Sequence, residues 1–160
     1  MKRNSLRPVA VLAMLVMSAG AAQAATAWGL RGGATFEPDQ VHVGAHLNGG
    51  ELFTDGWFIP NLEVGFGDDM TLIAVNPELV YKFSNRSSAD WGFYIGAGLG
   101  LNFYSWDNNV DGDDSETELG VNFLGGMSRK LSAGNDFFVE LKLGAADSPD
   151  AKVTVGFTFY

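Results

Sequence analysis

The sequence predicts an all-β chain, an eight-stranded antiparallel up-and-down transmembrane β-barrel. Three observations predict it. Side-chain character alternates with period two through eight separate stretches. Glycines gather on the polar face of those stretches, and aromatics gather at their ends. No stretch after residue 24 is a 20-residue apolar run, so no helix is long and apolar enough to span ~30 Å of hydrocarbon.

The first residues read as a secretory signal. Lys2, Arg3 and Arg7 form a positive n-region, Val9–Met17 an apolar h-region, and Ala22-Gln23-Ala24 a small-x-small cleavage pattern. Nine apolar residues are too few for a membrane anchor. The expected division is therefore a cleaved signal peptide over 1–24 and one barrel domain over 25–160.

The strands follow in order. In the first, Trp28, Leu30, Ala34 and Phe36 alternate with Gly29, Arg31, Gly33 and Thr35. After Glu37–Gln40 come Val41, Val43, Ala45 and Leu47, set against His42, Gly44, His46 and Asn48. The third sets Phe58, Pro60, Leu62, Val64 and Phe66 against Ile59, Asn61, Glu63 and Gly65. Past Gly67–Asp69, the fourth runs Ile73, Val75, Pro77, Leu79, Tyr81 and Phe83 against Ala74, Asn76, Glu78, Val80 and Lys82. The fifth, from Trp91 to Phe103, carries Gly92, Gly96, Gly98 and Gly100 on its polar face. Leu119, Val121, Phe123 and Met127 mark the sixth, and Phe137, Val139, Leu141 and Leu143 the seventh. Val153, Val155, Phe157 and Phe159 mark the eighth. Such alternation over short segments bounded by turn residues is the β signature.

Alternation does not say which face is inside. A soluble lipocalin-like barrel turns its apolar face inward; a membrane barrel turns it toward lipid. Gly96, Gly98 and Gly100 favour the second arrangement, because a narrow lumen needs small residues beside long ones. The aromatics agree. Trp28, Phe58, Tyr81, Phe83, Trp91, Phe93, Phe137 and Phe159 fall at one set of strand ends, and Phe36, Phe66, Phe103 and nearby Trp106 at the other. Two interfacial girdles suit a lipid-embedded barrel.

Composition narrows the function. Removing the signal takes away three of ten basic residues and none of nineteen acidic ones, leaving a formal charge of −12. That excludes a nucleic-acid partner, which calls for a basic face. With no cysteine in the chain, thiol catalysis and cysteine-ligated metals are excluded as well.

The pattern from signal to last strand resembles the small outer-membrane β-barrels that include OmpA- and OmpX-type domains. The resemblance implies an outer-membrane location in a Gram-negative-type bacterium, lipid around the wall, and the barrel-assembly machinery as partner of the last strand. In that family the strand ends on a glycine, alternating hydrophobics and a final aromatic. Gly156, Phe157, Phe159 and Tyr160 match, except that Tyr160 stands in phase with Thr158, off the lipid-facing alternation. The family carries no single activity.

Chemistry has three candidate places. Arg31, Lys82, Lys142 and Lys152 share the polar phase with Glu63, Glu78 and Glu140, so an ion network filling the lumen is expected, with a proton or ion path as its alternative. His42 and His46 stand about 13 Å apart along one strand at ~3.3 Å per residue, too far to share a metal. They belong to no nucleophile motif, so no enzyme is expected. Third, Asp107, Asn109, Asp111, Asp113 and Glu118 fit the calcium-loop pattern D-x-[DN]-x-[DN]-G-x5-E, with Gly112 at its turn. Strands rather than helices flank this 105–117 connection, so a merely solvated acidic loop stands beside calcium as a reading. The loop is also the candidate contact for an extracellular partner. The leading expectation is a structural or interaction barrel with short acidic loops; narrow transport and lipid modification are the alternatives.

Overall fold

A computed structural model describes residues 27–67, 70–83, 91–106, 114–131 and 133–160. The signal expected over 1–24 lies outside them. The strands are β1 (Ala27–Phe36), β2 (Gln40–Asn48), β3 (Glu51–Phe53), β4 (Gly56–Phe58), β5 (Asn61–Gly67), β6 (Met70–Asn76), β7 (Glu78–Lys82), β8 (Trp91–Trp106), β9 (Asp114–Lys130), β10 (Asp136–Ala146) and β11 (Ala151–Phe159).

These segments make eight barrel strands, because three strands are interrupted. β2 and β3 meet at Gly49-Gly50, β4 and β5 at Ile59-Pro60, and β6 and β7 at Pro77. Proline has no N–H to give a ladder. Its carbonyl still pairs, and here Leu47 N donates to Pro60 O at 3.0 Å and Leu99 N to Pro77 O at 3.2 Å. Every neighbouring pair is antiparallel, and β1 pairs with β11 from Trp28↔Phe159 to Phe36↔Ala151, closing the sheet. Closure removes the exposed edges that would otherwise recruit another strand.

The wall is inverted relative to a soluble barrel. Leu30, Val43, Leu62, Ile73, Ile95, Phe123, Leu141 and Val155 are exposed on the outside, whereas Arg31, His42, Glu63, Glu78, Lys142 and Lys152 are buried inside. That is the distribution of a transmembrane barrel. An aromatic rim marks the end that carries both chain ends of the sheet (the terminal end). Trp28 packs on Phe159 at 4.9 Å between ring centroids, Phe137 on Phe157 at 5.3 Å, and Tyr81 on Phe83 at 5.4 Å.

Three details depart from the sequence expectation. Trp106 is not part of an outer girdle. It stacks on Tyr104 at 5.8 Å and packs against an interior cluster with Leu72, because it continues the inward phase of β8. The long connection is shorter than expected, since pairing continues to Trp106↔Asp114 and leaves residues 107–113 between the strands. Cross-strand backbone bonds carry this extension through polar residues that lack an apolar face. Finally, β10 accompanies β9 only as far as Ala146↔Gly120, so six residues of β9 continue past the end of β10.

The connection after β10 fills that gap. Asn102 Nδ2 donates to Asp147 O at 2.9 Å, and Ser148 and Pro149 are buried in the barrel mouth. A Cβ on Gly120 would lie 2.1 Å from Ser148 Oγ, and one on Gly144 2.0 Å from Pro149 O. The inward glycines here hold a folded-in loop rather than a side chain.

Candidate functional site

The lumen is the only place where the chain concentrates buried charge among the described residues. Glu63 of β5 is its hub. It accepts from Arg31 of β1 at 3.1 Å, Lys152 of β11 at 2.9 Å and Lys142 of β10 at 3.5 Å. Lys142 also pairs with Glu78 of β7, and Arg31 Nη1 lies 3.6 Å from Glu140 Oε1 of β10. Three cations and three carboxylates therefore neutralise one another in the middle of the barrel.

Local sequence explains how such bulky groups fit. Arg31 stands in register between Gly44 and Gly156, Glu63 faces Gly44, Glu78 faces Gly98, and Glu140 faces Gly126. A long side chain is thus matched across the ladder by an absent one, which is how a narrow barrel fills its bore. A Cβ on Gly98 would lie 2.5 Å from Pro77 O and 2.7 Å from Glu78 Cγ, so alanine there pushes back both the neighbouring backbone and the carboxylate arm.

An amide ladder continues from the cluster. Asn61 Nδ2 donates to Glu78 Oε2 at 2.7 Å, Asn76 Nδ2 to Asn61 Oδ1 at 2.8 Å, and Asn122 Nδ2 to Asn76 Oδ1 at 3.3 Å. Tyr94 OH donates to Glu140 Oε2 at 3.0 Å. Sequence reasoning placed Asn61, Asn76 and Asn122 on the polar face but did not join them; only the register does so.

Both histidines turn into the lumen. His42 lies between Thr35 Oγ1 and Thr154 Oγ1, each at 3.0 Å from a ring nitrogen. His46 Nε2 is 2.9 Å from Thr158 Oγ1, and its ring meets Phe138 edge-on at 5.4 Å. Lys82 shares the inward phase but stays out of the central cluster, with its ammonium over the Trp57 ring at 4.3 Å. Apolar layers bracket the polar centre. Leu72, Ala74 and Tyr104 lie toward the loop end, and Val80, Tyr94 and Leu124 toward the terminal end.

Of the calcium-pattern residues, Asp107, Asn109, Asp111 and Asp113 lie outside the described residues. Glu118 lies in β9, in register with Asn102. Among the described residues no group of three or more His, Asp or Glu side chains could hold a metal ion.

At the terminal end a cavity of about 50 Å³ runs from the rim to Arg31, Glu78 and Glu140. Tyr160 stands at its rim, where its hydroxyl donates to Asp136 Oδ2 at 2.7 Å. Phe159, which packs on Trp28, is therefore the last aromatic on the lipid-facing alternation.

The fold is similar to that of known outer-membrane barrels. Neisserial surface protein A matches with a TM-score of 0.61 and 16% identity over 82% of this chain and 93% of that one. The N-terminal β-barrel domain of Pseudomonas aeruginosa OprF matches with a TM-score of 0.62 and 16% identity over 84% of this chain and 98% of that one. The outer membrane enzyme PagL matches with a TM-score of 0.50 and 16% identity over 84% of this chain and 99% of that one. These are likenesses of fold. No protein-family model and no curated protein matches the chain.

Proposed function

We propose that this chain is an outer-membrane barrel of a Gram-negative-type bacterium whose role is structural or interactive, with a plugged lumen and loops presented outside the cell. The reading is carried by one observation, the neutral six-residue ion cluster at mid-barrel. A bore of eight strands has room for little beyond its own side chains, and here those side chains are ion-paired across it. The terminal end faces the periplasm in this reading, and the opposite end, with the Glu37–Asp39 and 147–150 connections, faces outward.

Nothing in the arrangement favours hydrolysis. His42 is enclosed by two threonines, and neither histidine has a carboxylate partner within hydrogen-bond reach among the described residues. Likeness to PagL is one of fold, which does not carry an activity across. The cavity at the terminal end gives narrow transport its one supporting observation, since it brings water-sized space to the edge of the cluster.

Two measurements test the reading. Membrane fractionation and heat-modifiable gel migration should show a detergent-dependent, outer-membrane barrel; a protein soluble without detergent overturns it. Purified barrel in a planar bilayer should be electrically silent at moderate voltage, and resolved unitary currents would replace the plug with the transport reading.

A further inference from the structure

The outer part of β9 has a strand on one side only. β10 leaves the ladder at Ala146↔Gly120, whereas β8 and β9 stay paired up to Trp106↔Asp114. The connection after β10 does not cover the gap along β9, because it turns into the mouth with Ser148 against Gly120. Among the described residues no backbone bond takes up the far side of residues 114–119.

The register shows which groups are left over. Leu99 N donates to Pro77 O at 3.2 Å and Phe83 N to Phe93 O at 3.0 Å. Odd-numbered residues of β8 therefore bond toward β7, and even-numbered ones toward β9. Across that ladder Tyr104 faces Glu116 and Asn102 faces Glu118, so the even-numbered residues of β9 bond back to β8. The N–H and C=O groups of Ser115, Thr117 and Leu119 point the other way, to the open edge. All three residues are exposed, and they cover roughly 14 Å at ~3.4 Å per residue. An open edge of this kind is a template for a further strand, in which main-chain bonds give affinity and alternate side chains give specificity.

Charge selects that strand. Glu116 is exposed and Glu118 half-buried, and both stand on the same face of β9. Glu37, Asp39, Asp147 and Asp150 lie at the same end of the barrel, where no cation among the described residues lies outside the lumen cluster. Like charges directly opposite one another destabilise a strand pair, and opposite charges stabilise it. A second copy of this chain would set Glu116 and Glu118 against the same two residues. The edge thus disfavours self-pairing and favours a cationic partner.

We propose that the open edge at 115–119 is a docking site for an extended cationic peptide segment. The segment adds to the sheet as one more strand and sets lysine or arginine side chains opposite Glu116 and Glu118. This names the partner class of the interaction barrel proposed above and rests on that reading.

The test is fluorescence anisotropy of a labelled hexapeptide alternating lysine and threonine, titrated with the folded full-length barrel in non-ionic detergent. It should bind saturably, at least tenfold more tightly than the same peptide with glutamate for lysine. Thr117→Pro takes an N–H from the open edge and leaves the β8 ladder intact, so it should weaken binding about tenfold. Thr117→Val keeps that N–H and should bind as wild type does. Glu116→Gln combined with Glu118→Gln should weaken binding about tenfold. A peptide N-methylated at every residue keeps the charge, loses the donors and should not bind; it serves even where a variant fails to fold, which gel migration reports. Absence of saturable binding to folded wild type, equal binding of the glutamate peptide, or full binding of the N-methylated peptide or by folded Thr117→Pro each overturns the proposal. The outer-membrane reading fails separately, through fractionation and heat-modifiable migration.

Discussion

Glu63→Gln is the sharpest probe of the lumen. The substitution keeps the size and one acceptor of the side chain but removes the charge that meets Arg31, Lys142 and Lys152 at 3.1, 3.5 and 2.9 Å. Three cations then face two carboxylates, in a place where Glu63 is 1% exposed. Breaking a buried ion pair from one side costs about 3–5 kcal/mol, because the abandoned charge stays desolvated. With a urea slope of about 1–3 kcal/mol per molar, the unfolding midpoint should fall by roughly 2 M. The assay is urea unfolding of the barrel in detergent, read by intrinsic fluorescence and by heat-modifiable migration. A paired variant, Glu63→Gln with Lys152→Met, restores equal numbers of the two signs and should recover a good part of the loss. A midpoint shift worth less than about 1 kcal/mol, the level of an exposed salt bridge, would refute the premise that the cluster is dry. Failure of the paired variant to recover anything would refute the premise that charge count controls it.

Three further outcomes follow from particular contacts. Gly120→Ala should expel the Ser148 loop, since the added carbon meets Ser148 Oγ at 2.1 Å and its backbone N at 2.6 Å; in a chain without native cysteine, Ser148→Cys should gain thiol-reagent labelling by about tenfold, a shift of ~1.4 kcal/mol, and unchanged labelling refutes the seat. Val43→Arg, on the outward face midway along β2, should cost roughly 2–4 kcal/mol of barrel stability in bilayers; a neutral result would mean that this face does not meet lipid. Calcium titration should show no site tighter than about 10⁻⁴ M, because Glu118 is held in the β8–β9 ladder opposite Asn102; tighter binding that disappears in Asp111→Ala would establish the calcium loop.

The strand faces were legible because period two is a local property. From Trp28 to Phe159 the outward and inward sets follow the alternation except at Pro60, which stands in the outward phase yet is buried, and the burial of Arg31, Glu63, Glu78 and Lys142 follows from their phase alone. Which face met lipid was legible from glycine placement, and Gly98 beside Glu78 shows the physical reason. What phase could not supply was register. Sequence position does not reveal that Arg31 sits between Gly44 and Gly156, or that Asn61, Asn76 and Asn122 form one ladder. Lys82 was grouped with the cluster by phase, yet it lies too near the rim and meets Trp57 instead. The Trp106 placement failed for a related reason, since nearness to a strand end was weighed above its phase. The folded-in loop at Ser148-Pro149 was illegible because its cue, Gly120 and Gly144 each meeting a residue of the loop rather than a strand neighbour, is a contact made by the fold rather than a pattern along one strand.

That loop has a consequence for where this barrel can vary. Ser148 and Pro149 are seated against Gly120 and Gly144 in the packed mouth, and Asp150 N donates to Glu37 O at 3.3 Å, which ties that connection to the neighbouring Glu37–Asp39 turn. Added residues there would have to unseat a closure before they reached solvent. At the other long connection the flanking strands are paired to their last described residues, Trp106 and Asp114. Insertions at 147–150 must displace Ser148 and Pro149 from the mouth, whereas the β8–β9 pairing is complete at Trp106↔Asp114 before 107–113 begins.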